Sequence, residues 1–118
     1  MLIGRSWNLS MKCWVNGVLV SEGNLGDMDW TFAEIIERCS YGVTLMPGDI
    51  IGSGTVGTGC FLELNGTGKL NDPGYPEQWL KEGDLVEMEI DALGKLGNTI
   101  VKDESEFSIL ALKKNKSV

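Results

Sequence analysis

"GSGTVGTGCFLELNG", residues 52–66, decides the fold, because opposed architectures lay claim to it. Gly52, Gly54 and Gly57 match G-x-G-x-x-G, the dinucleotide pattern, which belongs to a parallel sheet with covering helices. Gly54 and Gly59 also have the spacing of the first two glycines of a phosphate loop. The dinucleotide reading needs a strand before the glycines and a helix directly after them. Residues 49–51, "DII", supply the strand. The helix fails, because only residues 60–64 remain before Asn65-Gly66 breaks the chain. A pyrophosphate would then have no helix N-terminus to sit on. Cys60, and not a lysine, follows Gly59, which removes the phosphate loop as well. The stretch reads instead as a glycine-rich turn from strand to loop, with residues at positive φ.

Its company is chemical. Ser53, Thr55 and Thr58 are small hydroxyl residues where glycine leaves the backbone bare. Together they offer N–H and O–H donors to an anionic or carbonyl ligand. Glu63 stands between Leu62 and Leu64. A carboxylate flanked by apolar residues could have a raised pKa and act as a base. From pattern alone, it reads first as the solvated side of a short strand.

Upstream, residues 7–15, "WNLSMKCWV", alternate. Trp7, Leu9, Met11, Cys13 and Val15 share one face, and Asn8, Ser10 and Lys12 the other. This predicts a half-buried strand. Asn16-Gly17 and "VLV" follow, a strong hairpin signal, since both turn positions need positive φ. The period then changes. Thr31 and Glu34 form a capping box, Trp30 is placed to staple onto Ile35, and Phe32, Ile35, Ile36 and Cys39 fall on one helical face. A helix of about ten residues is predicted, ended by "SYG".

Downstream, Pro47-Gly48-Asp49 is a turn, with a strand starting at 49–51. Residues 65–79 read as a long loop, usually a functional or mobile feature. "KEGDLVEMEI" is a second turn into a strand, alternating Val86, Met88 and Ile90 with Glu87, Glu89 and Asp91. Glu87 and Glu89 read as its wet face. "GKLGNTIV" is a turn and a further strand, 106–112 could be one more, and 113–118 is a polar tail. One helix cannot cover both faces of a parallel sheet. A mostly β fold follows, a curled sheet or sandwich with one main helix.

Composition sets outer limits. The chain has 118 residues, 42% of them hydrophobic, which suits one small domain. The net charge of −7 argues against nucleic acid and anionic membranes as partners. No apolar run approaches the roughly 18 residues of a transmembrane span. The N-terminus lacks a signal-peptide pattern, so a cytoplasmic location is expected. Three scattered cysteines and no histidine make a zinc site or a disulfide framework improbable. Cys13 and Cys39 read as small core residues, and Cys60 beside the glycines is less clear. Without histidine, a base near neutral pH must be a carboxylate or be borrowed from elsewhere.

Several motifs together resemble one family. They are Val15-Asn16-Gly17, Asp27-Met28, the helix, "TLMPGDII", Gly54-Thr55 in the glycine loop, "LKEGD" and "IDALGKLGNTI". In this order, over residues 8–102, they resemble the C-terminal half of the catalytic domain of the fumarylacetoacetate hydrolase family. Val56 stands where many members have proline. The resemblance implies a mixed β-sandwich or roll with short helices, here as a partial domain over 1–118. It implies cleavage or rearrangement of C–C bonds in dicarbonyl acids such as acylpyruvates, with a divalent metal (Mg²⁺, Mn²⁺ or Ca²⁺) stabilising an enolate. It assigns Thr55, with the Gly54 backbone, to the substrate carboxylate or oxo group, and Glu63 to water activation.

The family's metal carboxylates, lysine and histidine lie in a preceding half that this chain lacks, so its own metal ligands are expected to be none. A homo-oligomer or a complementing N-terminal chain is expected as partner, since half a sheet leaves an apolar edge and face exposed. The alternatives are a non-catalytic structural or assembly subunit that kept the fold, and a small acidic domain binding an anion through its glycine loop.

Overall fold

The computed structural model describes residues 2–3 and 6–104. The candidate strand at 106–112 and the polar tail at 113–118 lie outside the described residues. The elements run β1 (Leu2–Ile3), β2 (Ser6–Trp7), β3 (Ser10–Val15), β4 (Val18–Asn24), a 3-10 turn (Leu25–Asp27), α1 (Phe32–Cys39), α2 (Phe61–Asn71), β5 (Leu85–Ile90) and β6 (Gly94–Thr99). β1 and β2 pair with each other. The main sheet is antiparallel with the order β4-β3-β5-β6.

The β3–β4 hairpin turns at Asn16 (φ 52) and Gly17 (φ 78), the two positive-φ positions its sequence requires. The predicted strand over 7–15 breaks at Asn8 and Leu9. There the chain turns its polar groups to the end of β4. Leu9 O accepts from Leu25 N at 2.9 Å, and Asn8 Oδ1 accepts from Asn24 Nδ2 at 2.7 Å. β5 and β6 form as predicted. The pairing of β5 with β3 sets Cys13 against Met88 and Val15 against Val86 on one face. On the other face Lys95 lies 4.8 Å from the Trp14 ring centroid and 2.8 Å from Glu87, which is half-buried there.

α1 has both capping-box bonds. Glu34 N donates to Thr31 Oγ1 at 3.3 Å and Thr31 N donates to Glu34 Oε2 at 2.8 Å. The Pro47-Gly48 turn forms with Gly48 at φ 100. The strand expected at 49–51 does not follow. Asp49 folds back instead, accepting Met46 N on its carboxylate at 2.8 Å and donating its own N–H to Met46 O at 3.1 Å.

The larger correction is α2. A second helix occupies Phe61–Asn71, where the sequence predicts a short strand and a loop. Asn65 lies inside this helix and is 3% exposed. Its side chain donates to Gln78 O at 2.8 Å and accepts from Gln78 N at 2.9 Å, clamping the following segment to the helix. A methyl on Gly68 would stand 2.5 Å from the Tyr75 ring, so glycine there admits the aromatic side chain. Lys69 pairs with Glu77, whose other oxygen accepts from Trp79 Nε1 at 2.9 Å. The Lys69 hydrogen bond, with that of Trp79 behind it, holds Glu77 below the usual glutamate range.

A third brace joins the two hairpins. Asp84, 5% exposed, accepts from Asn16 Nδ2 and from Lys81 N, each at 2.9 Å. Asn16 Oδ1 accepts from Leu85 N at 2.9 Å. Asn65 and Asp84 are the buried polar residues, and among the described residues no hydrophobic side chain is buried. The extensive contacts run between adjacent strands and between β2 and the 3-10 turn, and neither α-helix has a comparable contact with a strand. The sheet face that would form the inside of a core stands open.

Candidate functional site

The glycine loop lies between two depressions. One is a cleft of about 580 Å³ lined by Ser53, Gly54, Thr55, Val56 and Gly57 from the loop, and by Met11 and Gly23 from the sheet. Trp30 and Ile35, the expected staple pair, line it as well. Its acidic side carries Glu22, Asp27 and Asp29, with Glu22 held 3.5 Å from Lys12. The other is an apolar groove of about 480 Å³ between the sheet and α2, with Cys13, Val15, Val86 and Met88 facing Phe61 and Leu64. Thr58, Gly59 and Cys60 line that side.

Local structure explains this placement. Gly54 (φ 99) and Thr58 (φ 61) both take the left-handed region, one glycine and one not. Gly59 N donates to Val56 O at 2.8 Å and closes the turn that starts α2. From residue 46 to residue 60, Val56 alone is not exposed. The loop is therefore bare backbone on an anchored valine, with Gly54 and Thr55 facing the cleft.

Glu63 is elsewhere. It is an exposed residue in the first turn of α2 and is not among the residues lining the Thr55 cleft. An acid there complements the helix N-terminus, a structural reason for glutamate at this position. The premise of a short strand at Glu63 fails, because Leu62 and Leu64 are its neighbours along a helix.

The helix whose absence counts against a dinucleotide in the sequence is present, and the strand that should lead into the glycines is absent. With Cys60 after Gly59, and with Glu22, Asp27 and Asp29 across the cleft, the loop is still a poor host for a pyrophosphate. Cys39 also departs from expectation. It is exposed on α1, while Cys13 is half-buried and burial pushes its thiol pKa up.

The described residues contain no group of three or more His, Cys, Asp or Glu side chains that could hold a metal ion. The acids at the cleft do not make a metal cage. None of the helices of the described residues is long and apolar enough to cross a membrane. Sequence reasoning missed Asp27, Asp29 and Glu22 as cleft residues. Asp27 was visible within the Asp27-Met28 motif, whereas Glu22 and Asp29 had no signal beyond their charge.

The family model described as fumarylacetoacetate (FAA) hydrolase C-terminal matches residues 3–101. The chain belongs to the fumarylacetoacetate hydrolase family. Oxaloacetate tautomerases are among the relatives it matches. The mitochondrial oxaloacetate tautomerase fahd2 of Xenopus laevis is 38% identical over 101 residues, 85% of this chain and 28% of that protein. The oxaloacetate tautomerase YisK of Bacillus subtilis is 38% identical over 93 residues, 78% of this chain and 27% of that protein. Among solved structures, the maleylpyruvate hydrolase of Sphingobium sp. SYK-6 superposes with a TM-score of 0.57 at 28% identity, over 81% of this chain and 29% of that one. The chain thus spans less than a third of these relatives. Family membership accounts for the open sheet: this is a mostly β partial domain of the fumarylacetoacetate hydrolase type, with two helices where the sequence predicted one.

Proposed function

We propose that this chain is the C-terminal portion of an enzyme acting on 2-oxo acids with a second carbonyl group, cleaving or rearranging them through an enolate. The observation that carries the reading is the placement of Gly54 and Thr55 at the cleft, in a chain belonging to this family. Oxaloacetate and maleylpyruvate, the molecules in the relatives' names, are both 2-oxo acids with a second carbonyl. The Thr55 hydroxyl and the bare amides beside it would hold the substrate carboxylate or oxo oxygen, and they stabilise negative charge developing there. Glu63 would move a proton or activate water from the first turn of α2, a role that rests on the resemblance alone. A divalent metal would take its ligands from the portion that the longer relatives carry and this chain lacks. The acidic side of the cleft supports that need, since Glu22, Asp27 and Asp29 repel an unaccompanied anion.

The test is reconstitution. The full chain is combined with the preceding portion of a longer relative and assayed with Mg²⁺ on an acylpyruvate and on oxaloacetate. Turnover is expected only with both parts present. Thr55→Val should lower kcat/KM about 10- to 100-fold, the loss of a hydrogen bond to a charged group. Unchanged turnover in Glu63→Gln removes the role given to Glu63. No turnover with any pairing favours a structural subunit that kept the fold.

A further inference from the structure

The donor loop meets the sheet where Val56 lies against Gly23. A methyl built on Gly23, in β4, would lie 2.5 Å from Val56 Cγ1 and 3.7 Å from Val56 Cβ. The first distance is closer than carbon atoms approach, so the Val56 side chain occupies the space that any side chain at position 23 would need. Gly23 has no positive φ to explain it, and close approach is what remains. At the same time the Val56 carbonyl accepts the Gly59 N–H that closes the loop. Val56 is thus held at both ends, by a strand on one side and by the start of α2 on the other. Thr55 is its immediate neighbour and faces the cleft.

We infer that Val56 seated on Gly23 is a positioning pair: it fixes the height and tilt of the loop and so sets where the Thr55 hydroxyl meets an oxo acid. The inference rests on the reading of the cleft given above. Both residues line the cleft, and the role assigned to them is to place Thr55 rather than to bond the substrate. These distances allow an unusual exchange. With alanine at both positions, the two β-carbons would stand about 3.7 Å apart, ordinary van der Waals contact, so the pair should tolerate moving a methyl group from one side to the other.

The experiment is a double-mutant cycle with two readouts. Hydrogen exchange of the loop is followed at the Gly59 amide, whose N–H is bonded to Val56 O, in the full chain, and KM and kcat are measured in the reconstituted enzyme. Gly23→Ala and Val56→Ala should each speed exchange of the loop by about tenfold or more, as expected when a packed contact that holds a segment closed is lost. Each should raise KM more than it lowers kcat. The double variant should return both readouts towards those of the parent. Should Gly23→Ala fail to fold, Val56→Ala alone carries the exchange measurement. Loop exchange unchanged in the single variants overturns the inference, and so does a double variant no better than its parts. If Thr55→Val leaves KM unchanged while the loop responds as described, the functional reading of the cleft is at fault and not the seat.

Discussion

Asn16 serves two purposes that its sequence context advertises only once. Asn-Gly announces a hairpin turn, and the backbone obliges with positive φ at both residues. The side chain then reaches from the β3–β4 hairpin to Asp84 and to the N–H of Leu85 at the start of β5. The hydrogen bond from Asn16, and after it that from Lys81 N, holds the Asp84 carboxyl below the usual aspartate range. A depressed carboxylate stabilises the fold above its unfolded pKa, near 4, and that contribution is lost as pH falls through the folded value. The full chain should therefore lose stability on acidification below about pH 4. Asp84→Asn should lower the urea midpoint at neutral pH and flatten the acid limb. Identical acid limbs in the two proteins would show that Asp84 takes no part.

At the scale of elements, legibility followed the local signals. The hairpin, the capping box on α1 and strands β5 and β6 could be read because two to six neighbouring residues specify each of them. α2 could not. Asn65, Gly66 and Gly68 are poor helix formers, and the apolar residues Phe61, Leu62, Leu64 and Leu70 make no clean helical stripe. The helix exists because distant partners reward those residues: Asn65 clamps Gln78, and Gly68 makes room for Tyr75. Tertiary contacts outweigh propensity here. Asn65→Ala should consequently cost about 1–3 kcal/mol, since it leaves the backbone of Gln78 without its partner. Circular dichroism would register loss of helix at lower denaturant than in the parent. An unchanged midpoint would mean that α2 stands on its own. The candidate site was readable to the same degree: Gly54 and Thr55 reached the cleft, while the place of Glu63 depended on the helix that was missed.

At the scale of the whole molecule, the decisive fact is apolar surface without a cover. Trp30 (67% exposed), Ile50 (96%), Leu62 (69%) and Leu70 (88%) would each be costly to leave in water in a complete domain. The chain alone should therefore bind a hydrophobic dye and sediment as a self-associating species. The preceding portion of a longer relative should suppress both. A monodisperse, dye-silent monomer would contradict an incomplete core.

The four tryptophans of the chain divide these surfaces among themselves. Trp30 stands at the cleft beside Thr55, Trp79 lines the groove under α2, and Trp14 lies beneath Lys95 on the opposite face. Trp7 sits with Trp30 at a smaller hollow. Indole emission shifts with the polarity around the ring, so the cleft and the groove carry different intrinsic fluorophores. Whatever covers the cleft dries Trp30, whatever fills the groove dries Trp79, and neither event reaches Trp14, which serves as the internal standard.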